Sequence, residues 1–360
     1  MINPVPERAP ASVDRRRFLR TAALAAVIGT RTSQAAVADK IEDGKRIDVH
    51  AHYFPIEYLD MLVRYGSTAT GIARNVLSTG SQVDLNARFE MMDQAGVQKQ
   101  ILSAAPQLPY FLARDHAISG ARMINDIYAD LVNRYPTRFL AFAATPLPHV
   151  DAAIEEMSRA LDVLRMVGVT VLTSVLGQSL VDPEFEPFWA ELNRRGTILF
   201  IHPAGVGACS PLIQSFNLTW PIGAPIEDTV AVVHLIVKQI PQRYPRVRIV
   251  ASHLGGALPM LMQRLDNQAA WFMPKGSEPP SATAQKMWYD TVAHGYVPAL
   301  QCAYAAFGAD RLLLGSDYPY ELHEAYHRAV SYIQESGLPA RDIATILDHN
   351  AAILLRSVHA

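Results

Sequence analysis

Short apolar segments alternate along the chain with stretches in which apolar residues recur at helical spacing. Eight apolar segments have the length of a buried strand, and Gly, Pro or polar residues bound most of them. They occupy residues 46–52, 99–106, 139–146, 168–175, 197–204, 247–255, 287–294 and 311–319. Because a helix between two strands favours parallel pairing, the pattern predicts a parallel sheet of eight strands in an α/β fold.

Helical periodicity fills the intervals, for example at 86–96, 151–168 and 186–196, each of which ends on a Gly. Eight strand–helix units predict a closed (β/α)8 TIM barrel more readily than an open sheet. We expect a single barrel domain over residues 46–358. The longer connections at 53–85 and 204–228 are expected to form the pocket walls.

The amino-terminal region has the composition of an export signal. The stretch "DRRRFLR" (14–20) precedes the apolar run "TAALAAVIG" (21–29), and "AVA" (36–38) has the small residues that a signal peptidase needs. This arrangement resembles a twin-arginine signal in which Arg15 and Arg16 form the pair. It predicts a signal peptide at 1–38, a linker at 39–45, and export to the periplasm by the twin-arginine machinery. The alternative is a disordered basic tail.

Composition narrows the class of partner. Half of the 360 residues are hydrophobic, 18% are charged, and the formal net charge is −2. The basic residues are scattered, so no basic surface for binding nucleic acid is predicted. The sequence has no run of about 18 apolar residues, so no membrane span is predicted either. A small-molecule substrate is therefore expected.

Histidine and aspartate stand where several predicted strands end. His50 and His52 end the first strand, His202 the fifth, His253 the sixth and Asp317 the eighth. In a (β/α)8 barrel the carboxyl ends of all strands form one rim, where active sites are built. Because buried imidazole and carboxylate groups need partners, a shared divalent metal is the favoured interpretation. Hydrogen-bonded core histidines and a turn aspartate are the alternative.

The spacing of the first pair supports this interpretation. His50 and His52 are two residues apart, so on a strand both side chains leave the same face and point into the barrel mouth. Asp48 lies one step deeper on that face, where we expect it to orient a ligand from behind rather than to bind metal.

Four motifs carry a family resemblance: "DVHAH", "IHPAG", "SHLGG" and "GSDYP", in this order and near strands one, five, six and eight. They resemble the amidohydrolase superfamily, and within it the branch of metal-dependent, oxygen-independent decarboxylases typified by 2-amino-3-carboxymuconate-6-semialdehyde decarboxylase. The similarity runs from about residue 46 to 356 and includes "WPIGAP" (220–225) and "HNAAILL" (349–355). Lactonases and hydratases of the superfamily share these motifs. The motifs therefore identify the superfamily more strongly than they identify the reaction.

The resemblance implies a role for each residue of the rim. His50, His52, His202 and Asp317 become the ligands of one divalent metal, with zinc favoured and manganese the alternative. His253 becomes the general acid/base beside it, and Asp317 a second group that can move a proton.

Substrate contacts are implied as well. Arg264 matches an arginine that binds a substrate carboxylate, in some members from the neighbouring subunit of a homodimer, and Trp220 matches a tryptophan of the pocket wall. Typical decarboxylases of this branch have a second arginine in the loop before the second strand. Arg74 is the candidate for this position, although the loop that contains it differs in length from the loop in the family. A surface position for Arg264 and a core position for Trp220 are the alternatives. His294, at the end of strand seven, shares the rim and is a further candidate, whereas Asp290 is expected to be a hydrogen-bonding barrel residue.

One absence limits the number of metals. Binuclear members of the superfamily bridge two ions with a lysine at the end of the fourth strand, and here that strand ends "LTSV" (172–175). The flanking lysines in the sequence, Lys99 and Lys238, are more than 60 residues from this strand end. A mononuclear site is therefore predicted.

These parts suit decarboxylation of a small unsaturated or aromatic carboxylate, because loss of carbon dioxide leaves an electron pair on carbon that a nearby cation and an acid can stabilise. The same parts could hydrolyse a lactone, ester or amide, with Asp317 taking a proton from the attacking water and His253 protonating the leaving group. A periplasmic protein that only binds metal or solute is the third and least favoured hypothesis.

Overall fold

The computed structural model describes residues 44–76 and 80–357. The predicted export signal at 1–38 and most of the linker at 39–45 lie outside the described residues. These segments, and the domain boundaries drawn from them, stay predictions.

Eight parallel strands form one sheet whose spatial order follows the chain. They are β1 Ile47–His52, β2 Lys99–Ser103, β3 Phe139–Ala144, β4 Gly168–Leu172, β5 Ile198–His202, β6 Arg248–Ala251, β7 Trp288–Asp290 and β8 Leu312–Leu313. The segment after β8 returns to β1, where the Asp317 amide donates to the His50 carbonyl (2.9 Å) and Ala51 forms a bridge with Tyr318. The predicted (β/α)8 barrel is confirmed as a nearly closed one.

Helices cover the outside of the barrel and its ends. They are α1 Ile56–Arg64, α2 Gly71–Arg74, α3 Gln82–Gln94, α4 Arg114–Arg134, α5 Val150–Asp162, α6 Glu186–Arg195, α7 Pro211–Gln214, α8 Ala224–Val237, α9 Ile240–Arg243, α10 Leu258–Phe272, α11 Pro280–Ala284, α12 Val297–Phe307, α13 Glu324–Gln334, α14 Ala340–Ala344 and α15 Asn350–Ser357. The predicted helix at 186–196 corresponds to α6, which Gly196 ends in the left-handed conformation (φ 66°) that glycine adopts without strain.

Each of the eight predicted strand segments contains a strand, but some strands are shorter than predicted. The fourth ends at Leu172, and a small hairpin of Ser174–Val175 with Gln178–Ser179 follows it. The eighth has only two residues, because the chain leaves the ladder and reaches Asp317 in a left-handed conformation (φ 61°). Aspartate tolerates this conformation better than most residues, and here it places the carboxylate at the barrel mouth.

An aromatic layer lies under the strand ends. Phe200, two residues before His202 on β5, packs edge-on against His50 with 5.0 Å between ring centroids, and Phe142 of β3 stacks on Phe200 at 5.4 Å. The polar rim therefore rests on a closely packed apolar interior, which holds the strand ends in place.

One helical segment bears on the prediction that the chain has no membrane span. Thr219–Val237, which includes α8, is long and apolar enough to cross a membrane by length and composition alone. Half of it is buried inside the fold, as is common for a helix that packs on a core. The absence of a membrane span stays a prediction.

Candidate metal centre

The five predicted rim residues converge at the mouth of the barrel. Donor atoms of His50, His202, His253 and Asp317 all lie within 4.8 Å of one another, the single such cluster within the described ranges. His52 joins them, since its Nε2 lies 3.1 Å from His50 Nε2 and 3.0 Å from Asp317 Oδ1. The structure thus brings together all four predicted ligands and the predicted acid/base.

The imidazoles of His50 on β1 and His202 on β5 are each oriented by a hydrogen bond at Nδ1. His50 Nδ1 lies 2.7 Å from Asp290 Oδ2, and His202 Nδ1 lies 3.0 Å from the Pro203 carbonyl oxygen. Both partners accept hydrogen bonds, so each ring carries its proton on Nδ1 and directs the lone pair of Nε2 toward the cluster. This is the tautomer that a metal ligand requires.

His253 is oriented in the same way by a different element. Its Nδ1 lies 2.9 Å from Oδ2 of Asp228, a buried residue of α8, and Ser252 Oγ donates to the other carboxylate oxygen at 2.9 Å. Nε2 then faces the cluster, 3.6 Å from Asp317 Oδ2. His253 and Asp228 therefore form a hydrogen-bonded pair, and Nε2 of the predicted acid/base is directed at the cluster.

Asp290 links two members of the cluster. While Oδ2 contacts His50, Oδ1 accepts the backbone N–H of His253 at 2.9 Å and that of Val292 at 3.0 Å. Asp290 is the hydrogen-bonding barrel residue that the sequence predicts, and its bonds fix both the ring of the predicted ligand His50 and the backbone of the predicted acid/base His253.

Asp48 also lies behind the cluster, although it acts on the backbone rather than on a ring. Oδ1 accepts the N–H of His50 at 3.1 Å and that of Ser316 at 3.0 Å, and Oδ2 accepts Gln100 Nε2 at 3.0 Å. Burial raises the pKa of Asp48 to about 6, against the opposing effect of these hydrogen bonds. Asp48 thereby fastens β1 to the segment that delivers Asp317.

The ionisation of the protein groups shows why a cation fits here. Burial alone would lower the pKa of His50, but the carboxylates of Asp290 and Asp317 raise it to about 9. Without a metal, Nε2 of His50 therefore also carries a proton, and a bound cation would replace that proton. Burial lowers the pKa of His52 to about 4 and that of His202 well below its usual range. His52 and His202 are therefore neutral electron-pair donors.

The remaining two groups of the cluster carry opposite charges. Burial opposes ionisation of both His253 and Asp317, but Asp228 and Asp317 raise the pKa of His253, and the neighbouring histidines lower the pKa of Asp317. Buried nitrogen and carboxylate donors whose inner atoms lie 3.0–3.2 Å apart need a positive charge between them. A divalent cation supplies that charge, and the donor set suits zinc or manganese.

A cavity of about 580 Å³ opens above the cluster. Its floor and walls are formed by Ile72, His202, Trp220, Pro221, Ala224, Pro225, His253, Leu254, Gly256, Val292, Ala293, His294, Ala299, Asp317 and Tyr320. Most of these residues are apolar, and the ionisable ones are concentrated at the floor and at one side of the mouth. This is the usual character of a site for a small, largely apolar ligand.

Two of the four predicted substrate contacts line this cavity. The indole of Trp220 lies directly over Gly205, where a Cβ would come within 2.6 Å of the ring, so the loop after β5 must have glycine at this position. His294 is exposed at the mouth, with Nδ1 2.6 Å from Glu321 Oε1, and this contact raises the pKa of the imidazole. Both residues can therefore meet a ligand.

The two predicted arginines do not line the cavity of this chain. Arg74 Nη2 lies 2.7 Å from Asp60 on neighbouring α1, although Ile72 from the same short helix does reach the wall. Arg264 is exposed on α10. Their roles in binding a carboxylate stay predictions.

The family of the chain follows from a comparison with known protein families. Residues 47–356 match the family model described as amidohydrolase. This chain belongs to the amidohydrolase family. The predicted recognition of the superfamily is confirmed, over almost the same span as the motifs suggested.

Curated relatives of this amidohydrolase are decarboxylases. The gamma-resorcylate decarboxylase of Rhizobium radiobacter is 31% identical over 262 residues, covering 66% of this chain and 77% of that protein. The 2-amino-3-carboxymuconate-6-semialdehyde decarboxylase of Dictyostelium discoideum is 26% identical over 299 residues, covering 78% of this chain and 83% of that protein. The predicted decarboxylase branch is confirmed, and the amidohydrolase is a metal-dependent carboxy-lyase.

Solved structures of decarboxylases share the fold of this chain. A 2,6-dihydroxybenzoate decarboxylase complexed with 2,6-dihydroxybenzoate superposes with a TM-score of 0.72 at 26% identity, covering 87% of this chain and 99% of that one. A dihydroxybenzoic acid decarboxylase from a Polaromonas species, with bound manganese and the inhibitor 2-nitroresorcinol, shares the fold with a TM-score of 0.73 at 23% identity, covering 87% and 97% of the two chains.

Sequence reasoning did not identify three buried groups of the amidohydrolase site: Asp228, Glu227 and Tyr320. The two acids are adjacent at the start of the apolar helix α8, where unpaired carboxylates would be costly, and that cost is the signal that could have marked them. Glu227 accepts the backbone N–H groups of the loop after β5 and the hydroxyl of a β4 neighbour. Its partners are Ala204 (2.7 Å), Val206 (2.8 Å), Thr173 Oγ1 (3.0 Å), Gly205 (3.1 Å) and Ala208 (3.3 Å).

Proposed function

We propose that this amidohydrolase removes carbon dioxide, without an oxidant, from a small aromatic carboxylate bound above one divalent metal. The observation that carries the proposal is the position of the His253–Asp228 pair, whose free Nε2 faces Asp317 at the floor of a mostly apolar cavity. A proton donor and a cation site beneath an apolar chamber are the parts that breaking a carbon–carboxylate bond requires.

His50, His52, His202 and Asp317 hold the metal in this proposal. Zinc is the favoured ion on donor chemistry, and manganese is the alternative supported by the Polaromonas neighbour. When bound, the ion polarises the oxygens of the substrate and stabilises the negative charge that develops in the reaction.

The proton comes from His253. As the bond between the ring carbon and the carboxylate breaks, its electron pair stays on the ring carbon and carbon dioxide leaves. The Nε2 proton of His253 then passes to that carbon, and Asp228 stabilises the ring in the orientation that delivers it. Asp317, 3.6 Å from Nε2, is the second group that can accept or return a proton.

The cavity walls favour an aromatic body for the substrate. Trp220, Pro221 and Val292 present flat or small apolar surfaces, whereas the polar lining residues His202, His253 and Asp317 belong to the metal cluster. A planar ring that carries its carboxylate at one edge matches this division, since its faces would be desolvated while its charged edge meets the cluster.

The test is the release of carbon dioxide from 2,6-dihydroxybenzoate by protein loaded with zinc or manganese, measured beside acid release from a panel of lactones and esters. We expect carbon dioxide release that depends on added metal and is absent from the His253→Ala variant. Hydrolysis of a lactone, without carbon dioxide release from any aromatic acid, would instead support the hydrolytic alternative.

We also propose that the protein is a homodimer formed through α10. Met260 and Trp271, three helical turns apart, are 74% and 80% exposed, and Arg264 lies between them on the exposed surface. An apolar patch on one face of a helix is typical of a surface that contacts another protein. In a dimer, Arg264 would contact the partner chain and could serve the partner's substrate.

Sedimentation velocity tests this assembly. The wild type is expected to sediment as a dimer, and Trp271→Glu as a monomer with an unchanged far-UV circular dichroism spectrum. Val83→Glu, which places the same charge at another exposed apolar position on α3, is the matched control and should remain dimeric. A monomeric wild type contradicts the proposal.

Export by the twin-arginine pathway to the periplasm is a further proposal, supported by the sequence of residues 14–38. Cell fractionation of the full chain should find the mature protein in the periplasm. Replacing both Arg15 and Arg16 with Lys should retain the precursor in the cytoplasm. Recovery of the wild type in the cytoplasm with Met1 intact contradicts export.

A further inference from the structure

A second cavity lies at the opposite end of the barrel from the metal cluster. Arg248 is the first residue of β6, Trp288 is the first residue of β7, and Arg311 directly precedes β8. These three strands are neighbours in the sheet, so the three side chains lie at the amino-terminal ends of the strands, where they line one cleft of about 630 Å³. We call it the basal cleft, and its walls also include Pro245, Lys286 and Ile353.

The charged side chains of the basal cleft are all basic. They are Arg248, Lys286 and Arg311, and no aspartate or glutamate is among the described residues that line it. The formal net charge of the chain is −2, so the cleft is a local concentration of positive charge. Lys286 is offset by Glu278, whose Oε2 lies 2.6 Å from its Nζ. The charge that a ligand would meet is therefore chiefly that of the arginine side.

The guanidinium of Arg311 is oriented but not neutralised. Its Cζ lies 5.1 Å from the centroid of the Trp288 ring, a cation–π contact that fixes the position of the group. An indole has no net charge, and within the described part of the chain Arg311 forms no ion pair with a carboxylate. Burial and the positive charges of Arg246 and Arg311 lower the pKa of neighbouring Arg248. This crowding of like charges favours binding of an anion.

Apolar surface beside the guanidinium restricts the class of anion. Pro245 is exposed, Ile353 of α15 is 48% exposed, and both line the basal cleft. A bare inorganic ion would leave this surface in water, whereas an organic anion would cover it and gain the free energy of burying apolar area. The volume of the cleft is in the usual range for a small-molecule site.

We propose that the basal cleft is a second binding site, which takes a small organic anion whose carboxylate or phosphate group meets Arg311 and whose apolar body covers Pro245 and Ile353. A guanidinium suits both groups, because its planar fork can donate two parallel hydrogen bonds to either. The site is separate from the metal cluster, which lies at the carboxyl ends of the strands, so it does not depend on the proposed reaction.

Calorimetric titration of the manganese-loaded protein tests the proposal with four ligands: phenyl phosphate, benzoate, inorganic phosphate and phenol. The part of the binding that is lost in Arg311→Gln reports the basal cleft, and any part that survives belongs to another site. We expect phenyl phosphate or benzoate to bind about 10- to 100-fold more weakly to Arg311→Gln than to the wild type, as loss of a charged hydrogen bond predicts. The tighter of the two identifies the anionic group. Inorganic phosphate should bind about 10-fold more weakly, since it buries no apolar surface, and neutral phenol should not bind measurably.

Arg134→Gln is the matched control, because Arg134 is a half-exposed arginine of α4 that pairs with Asp130 at 2.9 Å and does not line the basal cleft. It loses the same charge and should bind every ligand as the wild type does. Arg311→Lys keeps the charge without the fork and should retain part of the affinity, while unfolding temperatures without ligand show whether each variant is folded. Equal affinity of Arg311→Gln and wild type for all four ligands overturns the proposal, as does inorganic phosphate that binds as tightly as phenyl phosphate and benzoate. Neither result concerns carbon dioxide release, which tests the proposed function separately.

Discussion

Asp228 holds the imidazole of His253 through a contact of 2.9 Å between Oδ2 and Nδ1. Burial raises the pKa of Asp228 to about 6, and the positive charge of His253 opposes that rise. The carboxylate in turn raises the pKa of His253 above its usual range, although burial of the imidazole opposes this. The pair therefore favours the protonated form of His253, whose Nε2 is directed at the cluster, 3.6 Å from Asp317 Oδ2.

Asp228→Asn should remove this electrostatic support while keeping the size of the side chain. The pKa of His253 then falls, so its acidic form is lost at a lower pH than in the wild type. We expect kcat to fall by about 100-fold, the scale of a general acid's contribution. The alkaline limb of the kcat/KM profile should move to lower pH. Metal content and KM should change little, because Asp228 contacts neither ligand nor cavity.

Steady-state kinetics across pH check this prediction, with Asp126→Asn as the control. Asp126 is an exposed carboxylate that pairs with Arg159 on the outer surface, so its loss should leave the profile unchanged. A normal kcat with an unshifted profile in Asp228→Asn would show that His253 does not depend on Asp228.

Asp290 should control metal affinity without touching the metal. Asp290→Asn can keep Oδ1 as the acceptor for the N–H groups of His253 and Val292, but it places an amide N–H group against His50 Nδ1. The ring must then change tautomer and loses the Nε2 lone pair that faces the cluster. We expect the Kd for zinc or manganese to rise by about 10- to 100-fold, as for other residues that orient a ligand from behind.

A competition titration with a chelating dye measures this Kd in the metal-free protein. The unfolding temperature of the same samples, without metal, separates weakened binding from damage to the fold. Wild-type affinity in Asp290→Asn would indicate that the ring of His50 is held by the β1 backbone alone.

Alanine variants distinguish the predicted ligand His52 from the predicted acid/base His253. His52→Ala should lose bound metal, because its Nε2 lies within 3.1 Å of His50 Nε2 and Asp317 Oδ1. His253→Ala should keep the metal and lose most turnover. Metal analysis of the two proteins after dialysis decides the assignment: loss of metal from His253→Ala would place that residue among the ligands.

Much of the fold and of the metal site could be predicted because both depend on periodicity and position. Eight apolar segments predict the barrel, and because the carboxyl ends of its strands form one rim, they also predict that His50, His202 and Asp317 lie in one cluster, as they do. The i, i+2 spacing on β1 made His52 a neighbour of His50 for the same reason.

Residues that approach the site from helices could not be placed in this way. Asp228 and Glu227 reach the rim because α8 packs across the strand ends, and the direction in which a helix crosses a barrel is set by packing rather than by local sequence. Arg264 lies on the exposed surface of α10 and does not line the cavity of its own chain, so the carboxylate contact that the resemblance implies stays a prediction. The short β8 likewise reflects a left-handed Asp317 that no apolar pattern reveals.

Glu227 offers the sharpest test of how the cavity wall is built. Its buried carboxylate accepts the N–H groups of Ala204, Gly205 and Val206, immediately after the predicted ligand His202, and Gly205 supports the indole of Trp220. Glu227→Gln keeps one acceptor oxygen and directs an N–H group at the remaining donors. We expect the free energy of unfolding to fall by about 1–3 kcal/mol, the cost of leaving buried donors unpaired.

The kinetic consequence should differ from that of Asp228→Asn. A displaced loop moves the wall rather than the proton donor, so KM for 2,6-dihydroxybenzoate should rise while kcat and its pH profile stay near those of the wild type. Urea unfolding and steady-state kinetics measure the two effects, with Glu184→Gln at an exposed glutamate as the control. If KM is unchanged in a destabilised Glu227→Gln, the loop after β5 stabilises the fold without shaping the substrate pocket, and the predicted contact of Trp220 with the substrate loses its support.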